Sequence, residues 1–283
     1  MLKPGIYQPI PLSLFENDKL PSTNLMFVEA PDLLKDPEYL RYINVATTET
    51  TILDCGVGAS PDLNNPEAHL SRDPHFGVRY LRLACLLKPQ VLVIPDSLNE
   101  SEQTKHNLID YLSLLKKHDV LRHQALMYVL QGKTTEEALK QVTLTLMHPN
   151  IKVIGVPRVC TFFNPKHKDL TGDQYTEARI TFIDKLLDLV GSSRQIHMLG
   201  MNSIDELRYA GERGLTIDTR WATLYALYDI RITDPRPATR LNVDLTAFIS
   251  TKMCDSIRQN MHDLIEMYAH YYNPTYIRKE SYV

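Results

Sequence analysis

Seven times along this chain an apolar run too short for a helix gives way to a segment with helical spacing, and that alternation limits the fold more than any other feature. The runs lie at 25–29, 51–58, 91–96, 125–130, 151–156, 195–200 and 215–218. They are continuously apolar rather than alternating in and out, which is how strands covered on both faces read. Between them the apolar residues recur at helical spacing, as Leu108, Tyr111, Leu112 and Leu115 do, and later Ala178, Phe182, Ile183, Leu186, Leu187 and Val190. Thr134 with Glu137, Thr171 with Gln174 and Ser203 with Glu206 have capping-box spacing at three helix starts, and Gly191 and Gly214 stop two helices.

Buried strands alternating with helices predict a parallel sheet. In a chain of 283 residues, seven such units fit an α/β fold of the (β/α)8, TIM-barrel type. Asp229-Ile230-Arg231-Ile232 is the candidate for the eighth strand. Residues 1–24 carry four of the 17 prolines and no period, so they are expected to form an N-terminal arm on the surface. Residues 25–283 then form one barrel domain, with a long C-terminal helix near 244–272.

Composition narrows the function classes. The formal net charge is -3, so global charge does not favour a polyanionic partner and any such surface must be local. The 4 cysteines, Cys55, Cys85, Cys160 and Cys254, form no C-x-x-C pair, which points away from zinc ribbons and disulfide scaffolds. They fit a reducing compartment. With no apolar leader and no membrane-length segment, the expected location is the cytoplasm.

In a barrel of this type the carboxyl ends of the strands converge on one mouth. Those ends carry Asp54, Asp96, Gln131 followed by Gly132, Gly155, Gly200 and Asp218. Three carboxylates, an amide and close-approach glycines suit a flat, polar, neutral ligand. Asp96 and Gln131 match the donor and acceptor edge of a base, and an N–H near Gly155 suits a carbonyl oxygen. Two carboxylates remain for acid/base and nucleophilic work at a sugar carbon, the division of labour of retaining glycoside hydrolysis. Crowding raises the pKa of at least one of them.

Taken singly, each residue also has a plain structural role. Asp54 reads equally as a turn aspartate, Asp96 and Asp218 with Thr219 as helix caps, and Gly155 and Gly200 as packing glycines. His197, inside an apolar run, reads as a satisfied interior histidine. The 10 histidines show no H-x-x-x-H spacing, so neither a metal nor another cofactor is expected, although three aspartates at one mouth keep a metal-dependent barrel hydrolase open.

The order of these segments resembles the tRNA-guanine transglycosylase family. Asp54-Cys55-Gly56-Val57-Gly58 is similar to that family's D-S-G-G-F, Val93-Ile94-Pro95-Asp96 to its base-recognising strand, and Val129-Leu130-Gln131-Gly132 to its V-Q-G-G. Ile154-Gly155-Val156 falls at its G-G-L loop, and the run from Met198 to Leu207 resembles its L-M-G-V-G-T-P-E-D-L. The resemblance spans roughly 50–220. It implies Asp218 as nucleophile, Asp54 as general acid/base, and Asp96, Gln131, Gly132, Gly155 and Gly200 around the base.

The family's zinc motif is missing, since only Cys254 lies beyond Asp218. The chain therefore looks more like compact, virus-type relatives that exchange guanine in DNA for a 7-deazaguanine, with tRNA exchange or a catalytically silent nucleic-acid-binding subunit as alternatives. The expected partners are DNA and a free 7-deazaguanine base. Arg220, Arg231, Arg236 and Arg240 follow the nucleophile strand and Arg158 follows Gly155, so they are candidates for a basic rim that holds phosphates, unless they pair with Asp229, Asp234 or Asp244.

Overall fold

The computed structural model describes residues 2–16, 25–46, 51–56, 76–158, 172–201, 203–234 and 250–274. Among these, eight strands form one all-parallel sheet: β1 (Gly5–Tyr7), β2 (Met26–Glu29), β3 (Thr51–Asp54), β4 (Val91–Val93), β5 (Ala125–Val129), β6 (Ile151–Val156), β7 (Gln195–Met198) and β8 (Thr216–Asp218). The order is β1-β8-β7-β6-β5-β4-β3-β2. The two ends meet at a single parallel bridge, Gln8 to Met26, where Gln8 N donates to Leu25 O at 3.2 Å and Phe27 N to Gln8 O at 3.2 Å. The sheet is thus a nearly closed (β/α)8 barrel, as the alternation predicts.

The helices that cover it are α1 (Leu12–Glu16), α2 (Ala30–Lys35), α3 (Pro37–Ala46), α4 (Phe76–Leu87), α5 (Ser101–Lys116), α6 (Thr135–Met147), α7 (Gly172–Val190), α8 (Ile204–Glu212), α9 (Trp221–Leu227) and α10 (Thr251–Tyr271). Two of the expected caps are in place: Glu137 N donates to Thr134 Oγ1 at 3.1 Å, and Glu206 N to Ser203 Oγ at 3.2 Å. Thr171 lies outside the described residues.

One strand is not where the sequence points. The strand that completes the barrel comes from the N-terminus, in the stretch expected to be an arm. Gly5, Ile6 and Tyr7 pair with Thr216, Ile217 and Asp218. Pro4 and Pro9 flank the strand without interrupting it, so no ladder donor is lost.

Residues 229–232 instead finish α9. Asp229 has φ 55, its N–H donates to Ala226 O, and Ile230 N donates to Tyr225 O. This double closure is a Schellman turn. Ile232 N then donates to Asn260 Oδ1 of α10 at 3.0 Å. The alternation of Ile230 and Ile232 that suggests a strand reflects a loop pinned to that helix.

Side-chain direction alternates along each strand and sorts the core into two layers. Tyr7, Phe27, Ile52, Val91, Val93, Met127, Val129 and Val153 pack together inside the barrel. Ile6, Val28, Leu53, Leu92, Leu126, Tyr128, Ile154, Met198 and Ile217 pack outward with the helices. Counting two residues on from Phe27, Ile52 and Val129 of the inner layer reaches Glu29, Asp54 and Gln131, and Asp218 stands in register with Tyr7 of that layer. The same parity that fills the barrel therefore crowns it with polar groups.

Candidate active site

Asp218 ends β8, 8 % exposed, with a backbone N–H and an imidazole nitrogen converging on one of its oxygens. Gly200 N donates to Oδ1 at 2.8 Å, and His197 Nε2 lies 3.1 Å from the same atom. Gly200 reaches it from a left-handed turn, φ 66, and a Cβ there would come within 3.2 Å of Arg158 Cδ. A glycine is required on both counts. Its N–H is engaged with Asp218. His197 is fully buried inside the barrel, between Phe27 in a parallel stack at 6.0 Å and Tyr7 edge-on at 5.9 Å. It is a satisfied interior histidine, and one of its partners is the Asp218 carboxylate.

Asp54 ends β3, directly in register with Glu29 at the end of β2. Gly56 N donates to Asp54 Oδ2 at 3.1 Å, a local turn bond that leaves the carboxyl at the mouth. Burial pushes its pKa well above the usual carboxylate range, and the charges of Glu29, Asp96 and Asp218 push it further. Such a group keeps its proton and can act as an acid.

Asp96 lies just past β4, where burial raises its pKa to about 6 against the opposing hydrogen bond from Gln131. It does not cap the next helix, because the N-cap of α5 is Glu100. Gln131 Nε2 donates to Asp96 Oδ2 at 2.5 Å, while Gln131 Oε1 accepts from Asn99 N at 2.9 Å. Behind it, Gln141 Nε2 donates to Gln131 O, and Tyr128 O–H donates to Gln141 Oε1 at 2.8 Å. Gln131 thus orients Asp96 with both ends of its amide engaged. Cys55 Sγ lies 4.0 Å from Asp96 Oδ1.

Two candidate glycines serve packing. Gly155 sits within β6, paired to both neighbours, and a Cβ on it would meet Met127, Val129 and Leu199 at 3.1 Å. Its carbonyl accepts from Leu130 N at 3.0 Å. Gly132 lets the chain pass close to α6, where a Cβ would lie 3.1 Å from Glu137 Cβ.

The arginines divide. Arg220 Nη2 contacts Glu29 Oε1 at 2.5 Å and Asp32 Oδ2 at 3.4 Å, clasping the end of β8 to β2 and α2. Arg231 pairs with Asp263 of α10 at 2.6 Å. Both are paired with carboxylates, the alternative to a basic rim, with Asp263, Glu29 and Asp32 as the partners. Arg158 lies beside Gly200. Arg236 and Arg240 lie outside the described residues, as does the 61–74 loop.

Three participants are not singled out as site residues by the linear sequence. Glu29 is a fourth mouth carboxylate, visible as the end of an apolar run but not singled out by any motif. Arg179 and Glu206 form a fully buried ion pair at 3.2 Å. From α7, Arg179 also donates to Val156 O, Leu199 O and Gly200 O at 2.7, 2.9 and 2.7 Å. It braces the ends of β6 and β7 and the turn that holds Asp218.

The oxygens of Asp54, Asp96 and Asp218 do not gather into one ligand set. Among the described residues, His262, Asp263 and Glu266 are the group whose donor atoms all lie within 4.8 Å of one another, on the outer part of α10. Asp263 there is already paired with Arg231 and Gln259. Also among the described residues, no helix is long and apolar enough to cross a membrane. In comparisons with known proteins, the chain matches no family model and no curated protein.

Proposed function

We propose that the protein is a base-exchanging glycosyltransferase that replaces guanine in a nucleic acid, DNA in the first instance, with a 7-deazaguanine. The observation that carries this reading is the unequal pair at one barrel mouth. Asp218 is held through a single oxygen by Gly200 N–H and the His197 ring, while Asp54 is held protonated by burial and by its carboxylate neighbours. Nucleophile and acid are the two roles that cleavage of a glycosidic bond with a covalent intermediate requires.

In this mechanism Asp218 attacks the anomeric carbon and the bond from that carbon to the base nitrogen breaks. The departing electron pair is met by the proton of Asp54. The incoming base gives its N–H proton to the Asp54 carboxylate, its nitrogen attacks the same carbon, and Asp218 leaves as a carboxylate. Asp96, oriented by Gln131, accepts from the base's N–H groups. The sequence resemblance points the same way and supplies the identity of the base.

The test is incubation with labelled guanine and either duplex DNA or tRNA. Label entering DNA is expected, with a covalent protein–DNA adduct under single-turnover conditions. Label entering tRNA alone would move the reading to the tRNA enzyme. Binding without exchange would replace it with a silent subunit. Asp218→Asn should give neither adduct nor exchange.

A further inference from the structure

The proton inventory around His197 decides how Asp218 is presented. Its Nδ1 lies 2.8 Å from Thr216 Oγ1, and its Nε2 lies 3.1 Å from Asp218 Oδ1. The Thr216 hydroxyl has one proton and two candidate acceptors, His197 Nδ1 at 2.8 Å and Ile196 O at 3.3 Å. The shorter contact is the better hydrogen bond. If the proton goes there, Nδ1 is the acceptor, and the neutral ring carries its own proton on Nε2, aimed at Asp218. If it went to Ile196, Nδ1 would have to donate, and the neutral ring would turn a lone pair on a carboxylate oxygen.

We propose that Thr216 fixes His197 as the Nε2–H tautomer, that this N–H and Gly200 N–H together occupy Asp218 Oδ1, and that Oδ2 is therefore the oxygen Asp218 turns to an electrophile. His197 is a positioning residue in this scheme. The ring lies parallel to Phe27 and edge-on to Tyr7, and the register sets Thr216 opposite His197 on the adjoining strand, so its orientation is built into the barrel interior. Both donors come from β7 and the turn after it, which makes the presentation of the nucleophile a property of one segment of chain.

The kinetic arm of the test rests on the functional reading above, and the spectroscopic arm does not. Nitrogen-15 spectra of histidine-labelled full-length protein, with the His197 signals assigned by their loss in His197→Gln, should show Nε2 as protonated and Nδ1 as bare. A neutral Nδ1–H tautomer, or an imidazolium, at neutral pH overturns the proposal.

Thr216→Val should shift the ring toward the other tautomer and lower kcat roughly tenfold with KM unchanged, the loss of about one hydrogen bond. Thr216→Ser should restore both. A Val variant that keeps the wild-type nitrogen shifts and wild-type kcat overturns the assignment. A protein showing the Nε2–H tautomer but no base exchange would instead refute the functional reading and leave the tautomer standing.

Discussion

Asp54 and Asp96 are both raised above the ordinary carboxylate range, yet for different work, and their pH behaviour separates them. In the proposed mechanism the protonated form of Asp54 is the active one, so acid catalysis should fail as pH rises through its raised pKa. Asp54→Asn should lower kcat by about 10²–10⁴-fold and abolish that alkaline limb of the pH profile. For Asp96 the readout is stability. Its folded pKa of about 6 exceeds its ordinary value of 3.8, so the folded state binds the proton more tightly. The stabilisation is complete below the ordinary value and is lost as pH rises to the folded one. Between these limits the native state should lose on the order of 2–3 kcal/mol, and Asp96→Asn should flatten that slope in urea melts taken at a series of pH values. The three aspartates and Gln131 are legible in the sequence because each terminates a run whose apolar character marks it as a buried strand. Glu29 terminates such a run too, but without a pattern to set it apart it reads as an ordinary surface carboxylate. The partnership of His197 with Asp218 spans 21 residues and exists only once β7 lies beside β8.

At the scale of elements, α7 does more than cover the sheet. Its Arg179 gathers three carbonyls from the ends of β6 and β7 and pairs with Glu206 of α8, all without exposure. Removing the guanidinium strands a buried carboxylate and frees the turn at Gly200. Arg179→Met should therefore cost about 3–5 kcal/mol in chemical denaturation, and Arg179→Met with Glu206→Leu should recover a large part of it. The period of α7 and the cap at Ser203 are plain in the sequence. The ion pair is not, because Glu206 also satisfies the capping pattern and so carries a sufficient local explanation. The final strand shows a related limit. Three residues between prolines display no period, whereas Ile230 and Ile232 display one by accident of a Schellman turn.

For the whole molecule, closure depends on few bonds. Among the described residues, β1 is the sole strand between β8 and β2, helped at the mouth by the clasp of Arg220 on Glu29 and Asp32. Deleting residues 2–8 would expose two unpaired edges and the inner core. The truncated protein is expected to lose cooperative unfolding and to aggregate, as judged by calorimetry and light scattering. Arg220→Ala leaves the strands intact and should loosen the mouth alone, with a smaller drop in melting temperature.

Tyr7 stands in register with Asp218, so β1, made early, waits for β8, made about 200 residues later, before it has a neighbour on that side. A chain that stops before β8 carries Glu29, Asp54 and Asp96 but lacks Asp218, the proposed nucleophile. Under the proposed mechanism, synthesis order thus becomes a safeguard: a prematurely terminated product could not tether itself to a nucleic acid, because the tethering carboxylate arrives with the strand that seals the ring.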